Sequence, residues 1–190
     1  DRLMRLVESQ LDGIFGSVLL LDEDGEHLRH GAAPSMAEAY VKAIDGACIG
    51  PKVGSCGTAV YRRAPVIVSD IMTDSLWEDY RGLASPYGYR SCWSTPILSH
   101  EGAVLGVFAM YSNSVREPTA NETRHIEMTT RIAGIAIERK RAEEQVRWRQ
   151  VGIDAQRFLE NRDSGCVRAG QVQRHAVIHQ QARIVGQRLH

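Results

Sequence analysis

The chain has 190 residues, enough for one domain with a sizeable core and something over, and 23 Lys+Arg balance 23 Asp+Glu. A neutral balance argues against a nucleic-acid or membrane-surface partner, and no apolar run approaches the roughly 18–20 residues of a membrane span. Nothing at the start reads as a signal peptide, so a cytoplasmic protein is expected. The neutrality hides an asymmetry: residues 1–150 carry 17 basic against 20 acidic side chains, and residues 151–190 carry 6 against 3. Cysteines at 48, 56, 92 and 166, without a CxxC, argue against a disulfide framework or a zinc site.

Residues 1–11 place Leu3, Leu6, Val7 and Leu11 at helical spacing, as the end of a helix that began upstream. Residues 17–22 read as a strand, Asp24 and Gly25 as a hairpin turn, and residues 27–30 as a short partner strand. A helix is expected from Pro34 and Ser35, with Ser35 and Glu38 in capping-box register and Met36, Tyr40, Val41 and Ile44 as its apolar stripe. Gly46 ends it. Residues 50–57 form a glycine-rich loop, residues 58–63 a short helix and residues 65–70 a strand. Residues 71–90 are irregular yet hold Trp77, Tyr80, Tyr87 and Tyr89. Solvated loops seldom carry so much aromatic surface, so this segment is expected to pack over something.

Residues 92–98 and 104–111 are two strands about a turn at His100, Glu101 and Gly102. Both are mostly apolar on both faces, which places the hairpin inside a sheet and away from its edges. Pro96 marks a bulge or a weak ladder, and Gly106 a place where other backbone passes close by. Thr119 and Glu122, again at capping-box spacing, start a long helix. It is amphipathic through Ile126, Met128, Ile132, Ile135 and Ile137, and almost wholly charged from Glu138. Met128, Ile132, Ile135, Ala142 and Val146 make a partial heptad seam, broken by Arg139. Residues 151–190 hold 6 Gln, 6 Arg and 3 His without a sustained period, so no fold is expected there.

The motifs GPKVGSCGTAVYRRAPVIVSDI (50–71), LWEDYR (76–81), GYRSCWSTPIL (88–98), GAVLGVFAMY (102–111) and RIAGIAIERKRAEEQ (131–145) resemble those of a GAF domain. The resemblance is to the sensory modules of proteobacterial sensor histidine kinases and diguanylate cyclases. It implies an α+β fold: a central antiparallel sheet of five or six strands, helices on both faces and a long C-terminal helix. The first and last helices would cover one face, and the short helices and aromatic loop the other, where such domains enclose a small-molecule pocket. The division expected is an N-terminal helix over 1–12, the GAF domain over 13–145, and a helix extension with a basic, poorly ordered tail over 146–190. The charged run at 138–145 is similar to the signalling helices that lead to kinase or cyclase modules. No kinase, cyclase or helix-turn-helix motif occurs in this chain, so the output module would belong to the full-length protein.

Several chemistries of the resembling families find no purchase. The Cys-His pair that holds a bilin in phytochrome-like domains falls on Asp79 and Tyr80, although Asp70 matches an aspartate of that pocket. Free methionine sulfoxide reductases share a glycine-flanked cysteine like Cys56, but their further catalytic cysteine would fall near Ser85 and Pro86. Cys56 and Cys92 are accordingly expected as small core residues. The NKxnFx3DE pattern of cyclic-nucleotide-binding domains is absent. His27, His30, His100 and His125 lie in separate elements, and His175 and His179 share a helix face only if the tail is helical, so no metal is expected.

What remains is non-covalent sensing. Period-two alternation sends Cys92 and Ser94 to one face and Trp93 and Thr95 to the other, and groups Val107, Ala109 and Tyr111. With Asp70, Trp77 and Tyr80 closing over them, the expected ligand-binding set is Asp70, Trp77, Tyr80, Cys92, Ser94 and Tyr111. The ligand is an unidentified small molecule, no cofactor is assigned, and no catalysis is expected. The competing readings are a ligand-free dimerisation scaffold and a thiol-based redox enzyme. A homodimer is expected through the C-terminal helix, paired with the helix at residues 1–11.

Overall fold

The computed structural model describes residues 2–162, with side chains through Gly152. Strands β1 (Ile14–Leu21), β2 (His27–Ala32), β3 (Ala47–Cys48), β4 (Val66–Val68), β5 (Ser91–Leu98) and β6 (Val104–Ser112) form one antiparallel sheet in the order β3-β2-β1-β6-β5-β4. The predicted hairpin is β5–β6, and neither strand is an edge. Its apolar runs are buried on both faces for the reason given above. The register of β6 against β1 is uninterrupted from Ile14↔Ser112 to Leu20↔Gly106. A Cβ at Gly106 would stand 2.3 Å from the Leu19 carbonyl oxygen, so the close passage of backbone expected there is met.

Among the described residues five α-helices accompany the sheet: α1 (Arg2–Glu8), α2 (Glu38–Ile44), α3 (Gly54–Arg62), α4 (Arg81–Ala84) and α5 (Ala120–Arg162). On one face Met4 and Val7 of α1 and Ile126 and Ala133 of α5 pack with Trp93, Phe108 and Met110. On the other, α2, α3 and the aromatic segment cover Leu19, Cys92, Val107, Ala109 and Tyr111. The alternation read from the sequence is thus the actual division of the core.

Three local expectations are corrected. Ser35 does not cap α2: its hydroxyl donates to Glu8 Oε2 at 2.6 Å, and the helix starts at Glu38 behind Ala37, which makes no side-chain cap bond. Helix α3 begins at Gly54, inside the glycine-rich stretch, because Gly57 lets it lie against β3; a Cβ there would be 2.8 Å from the Cys48 carbonyl oxygen. Helix α5 continues to Arg162, past residue 150 where periodicity fades. The second capping box does form, with the Thr119 N–H donating to Glu122 Oε2 at 2.7 Å and the Glu122 N–H to Thr119 Oγ1 at 3.2 Å.

The described residues up to Glu138 form one compact unit, and those from Arg139 on belong to a second. The described part of the second is helix, with Arg139–Glu143 and Lys140–Glu144 ion pairs at i,i+4 and with Val146 and Trp148 exposed. Cys166, His175 and His179 lie outside the described residues. No described helix is long and apolar enough to cross a membrane.

Candidate functional site

The face of β5 and β6 that carries Cys92, Ser94, Val107 and Ala109 has small side chains except at Tyr111, and α3 lies over it. Small residues beneath a helix leave space that large ones would fill. The space is a cavity with an empty volume of about 440 Å³ including its open mouth. Its lining is Leu19, Leu28, Tyr40, Ile44, Ala47, Val53, Gly54, Ser55, Cys56, Gly57, Trp77, Tyr80, Leu83 and Tyr111. No Asp, Glu, Lys, Arg or His is among them.

A chain of polar contacts fixes the floor. Trp77, buried, donates from Nε1 to Ser55 Oγ at 2.8 Å, and Ser55 Oγ donates to the Cys92 carbonyl at 3.3 Å. The indole therefore anchors the first turn of α3 to β5. Cys56, half-buried, meets Ser94 Oγ at 3.3 Å and Tyr111 Oη at 3.8 Å. Tyr40 Oη donates to Tyr111 Oη at 3.4 Å. Around these hydroxyls Tyr40 packs edge-on against Tyr87, Tyr89 and Tyr111, with ring centroids 5.1–5.9 Å apart.

Electrostatics divide the floor sharply. Burial pushes the phenols of Tyr40 and Tyr111 and the thiol of Cys92 well above their ordinary values, so they stay protonated at neutral pH. Cys56 goes the other way. Hydrogen bonds from Cys92, and then from Ser94 and Tyr111, outweigh burial and lower its pKa to about 7.

Of the residues singled out from the sequence, Trp77, Tyr80 and Tyr111 line the cavity. Cys92 and Ser94 lie behind them, reaching it through Cys56. Asp70 does not line it. Its carboxylate accepts from the Met72 N–H at 3.1 Å and from Arg90 Nη2 at 3.2 Å, which makes it the cap of the turn after β4. Cys56 is a cavity residue and not simply a core filler. Leu19, Leu28 and Tyr40, from β1, β2 and α2, could not have been read locally. The glycine spacing of residues 54–57 was the available signal for Cys56, since a helix that starts that close to the sheet must show its first turn to whatever lies there.

A sequence profile for the GAF domain matches residues 1–138. The methyl sulfide methyltransferase-associated sensor of Methanosarcina acetivorans is 38% identical over 140 residues, which cover 74% of this chain and 14% of that protein. The chain thus spans about a seventh of that relative's length. A domain assigned to a two-component sensor histidine kinase protein of Sinorhizobium meliloti is similar in structure, with a TM-score of 0.63 at 23% identity, covering 77% of this chain and 93% of the other. The type II free methionine-R-sulfoxide reductase of Thermoplasma acidophilum has a TM-score of 0.58 at 14% identity, covering 73% of this chain and 89% of the other. At such identities the two structural likenesses speak for the fold alone.

Proposed function

The chain belongs to the GAF domain family, and from that premise we propose that residues 1–138 are a non-catalytic regulatory input module whose cavity takes a small, uncharged, largely apolar ligand. The observation that carries this reading is the lining: hydrocarbon, aromatic rings, a few hydroxyls and the Cys56 thiol, without an Asp, Glu, Lys, Arg or His. A phosphorylated or zwitterionic ligand would leave its charges unpaired there, at a cost of several kcal/mol each in order of magnitude. The same argument weighs against methionine sulfoxide, a zwitterion, as a substrate. It also weighs against the ligand-free scaffold, because Trp77 and Tyr80 pack at the cavity and leave it unfilled.

The output is the long helix. Met128, Ile132 and Ile135 are 64%, 50% and 68% exposed on α5 while Ile126 and Ala133 of the same helix are buried against the sheet. An apolar stripe beside a buried one suits pairing with a second copy, with α1 alongside; Leu6 of α1 is also exposed. The reading is of a cytoplasmic homodimer that passes its signal to a kinase or cyclase module of the full-length protein, as in two-component systems of bacteria.

The test is a thermal-shift and native mass-spectrometry screen of the reduced protein against neutral apolar compounds, nucleotides and amino acids. A ligand specific for the folded state raises the midpoint as its concentration passes Kd. Neutral compounds are expected to raise it and charged ones not. Shifts with nucleotides or amino acids alone, or turnover of methionine sulfoxide that is lost in Cys56→Ser, would overturn the reading.

A further inference from the structure

Ser94 Oγ sits 3.3 Å from Cys56 Sγ and 3.6 Å from Cys92 Sγ, so two sulfurs converge on one hydroxyl. One comes from the first turn of α3 and the other from β5, and the Ser55 hydroxyl on the Cys92 carbonyl holds those two elements together at this point. Their access differs: Cys56 lines the cavity, whereas Cys92 is wholly buried. So does their acidity, as described above. One thiol is open and ionised in part near neutral pH, and the other is closed and protonated. That is the arrangement of an attacking sulfur with a resolving partner.

We propose that Cys56 and Cys92 are an oxidation site, a thiol pair that closes to an intramolecular disulfide in response to a hydroperoxide admitted through the cavity. In the first step the Cys56 thiolate attacks the distal oxygen of ROOH. The S–O bond forms as O–O breaks, the peroxide is reduced, and the departing alkoxide takes up the proton that Cys56 had released. Cys56 is then a sulfenic acid. In the second step the Cys92 sulfur attacks the Cys56 sulfur, the S–O bond breaks, and the oxygen leaves as water with the Cys92 proton. Overall two thiols lose two electrons and two protons, and ROOH becomes ROH and water. A dithiol reductant reverses the change by exchange. The bond would tie the first turn of α3 to β5 and remove the ionisable sulfur from the cavity floor. Any effect on ligand response rests on the sensing reading; formation of the bond does not.

The test treats the full reduced chain with a small excess of hydrogen peroxide, without ligand, then alkylates it and maps its peptides without reduction. The expected result is joint loss of the Cys56 and Cys92 thiols, one peptide pair crosslinked between them, and recovery of both thiols with dithiothreitol. In Cys92→Ser the expected product is a Cys56 sulfenic acid trapped by dimedone. In Cys56→Ser, loss of the Cys92 thiol should slow at least tenfold. Wild-type protein alone decides the matter, so misfolding of a variant does not rescue the proposal. Sulfinic acid at Cys56 with Cys92 still alkylatable, a crosslink to Cys48 in its place, or no reaction when Cys48 has been oxidised would each overturn it. A protein that crosslinks but binds no ligand refutes only the sensing reading, and one that binds but does not crosslink refutes only this proposal.

Discussion

The two faces of β5 and β6 are made by the same two strands, yet one is solid and the other hollow. Trp93, Phe108 and Met110 point to the first, and Cys92, Ser94, Val107 and Ala109 to the second. Backbone and register are shared, so the difference lies in side-chain volume and in the elements that cover each face. On the solid face large residues interdigitate with α1 and α5, and Arg116 closes the edge, its guanidinium 4.6 Å from the centre of the Trp93 ring. On the hollow face small residues concede their volume to the cavity, and hydrogen bonds and edge-on rings hold the surrounding walls. Close packing and open volume thus fall on opposite sides of one sheet.

The sharpest way to break the comparison is to hollow the solid face. Trp93→Ala is expected to cost about 3–5 kcal/mol in urea unfolding, because a buried ring leaves a void that rigid strands cannot close. A cost below 1 kcal/mol would mean that this face is not the structural one.

Next in size is the polar seal of the same face. Arg116 donates to both Glu122 oxygens, at 2.7 and 2.8 Å, and this pair, with the Thr119 N–H, lowers the Glu122 pKa from its usual 4.5 to about 2. The Glu122 side chain is only 9% exposed, so the shift corresponds to at most about 3 kcal/mol. Its sign is that of a depressed carboxylate. The stabilisation is complete above pH 4.5 and is lost as pH falls from there towards 2. Glu122→Gln should therefore lie below wild type at pH 7, with the gap closing across that window; a gap independent of pH would refute the assignment.

Filling the hollow face should do the opposite of emptying the solid one. Ala47→Leu adds volume at the cavity wall and is expected to change stability by less than about 1 kcal/mol, while abolishing any ligand-induced rise in the melting midpoint. A large loss of stability would mean the space is not free. The smallest effect on folding is expected at the exposed stripe. Ile135→Glu should alter unfolding by less than about 0.5 kcal/mol and yet convert a dimer to monomer in sedimentation at tens of micromolar. A wild type that is already monomeric there removes the dimer.

Much of this contrast was legible beforehand. Alternation along residues 92–98 and 104–111 separated Trp93 from Cys92 and Ser94, and the paired strands, the close approach at Gly106 and the cap at Thr119 followed from local chemistry. What failed did so where a distant group intervened. Ser35 has the spacing of a cap, but Glu8, 27 residues away in sequence, takes its hydroxyl. Asp70 matched a pocket position by resemblance, yet Arg90 and the turn after β4 claim its carboxylate. The role of Cys56 depends on Cys92, Ser94 and Tyr111 meeting it from two strands, which no window around residue 56 contains.

The pairing of β1 with β6 also has a consequence for how the chain reaches this state. It joins Ile14 to Ser112 and Leu20 to Gly106, contacts separated by most of the unit's length. The β1–β2 and β5–β6 hairpins can each form early from neighbouring residues, but they remain two separate ribbons until that seam zips. During synthesis the first ribbon emerges with the edge of β1 that β6 will pair still bare, and it waits until Ser112 has left the ribosome. The central seam of the finished sheet therefore cannot close before Ser112 is available, and until it closes the unpaired edge of β1 is open to other chains.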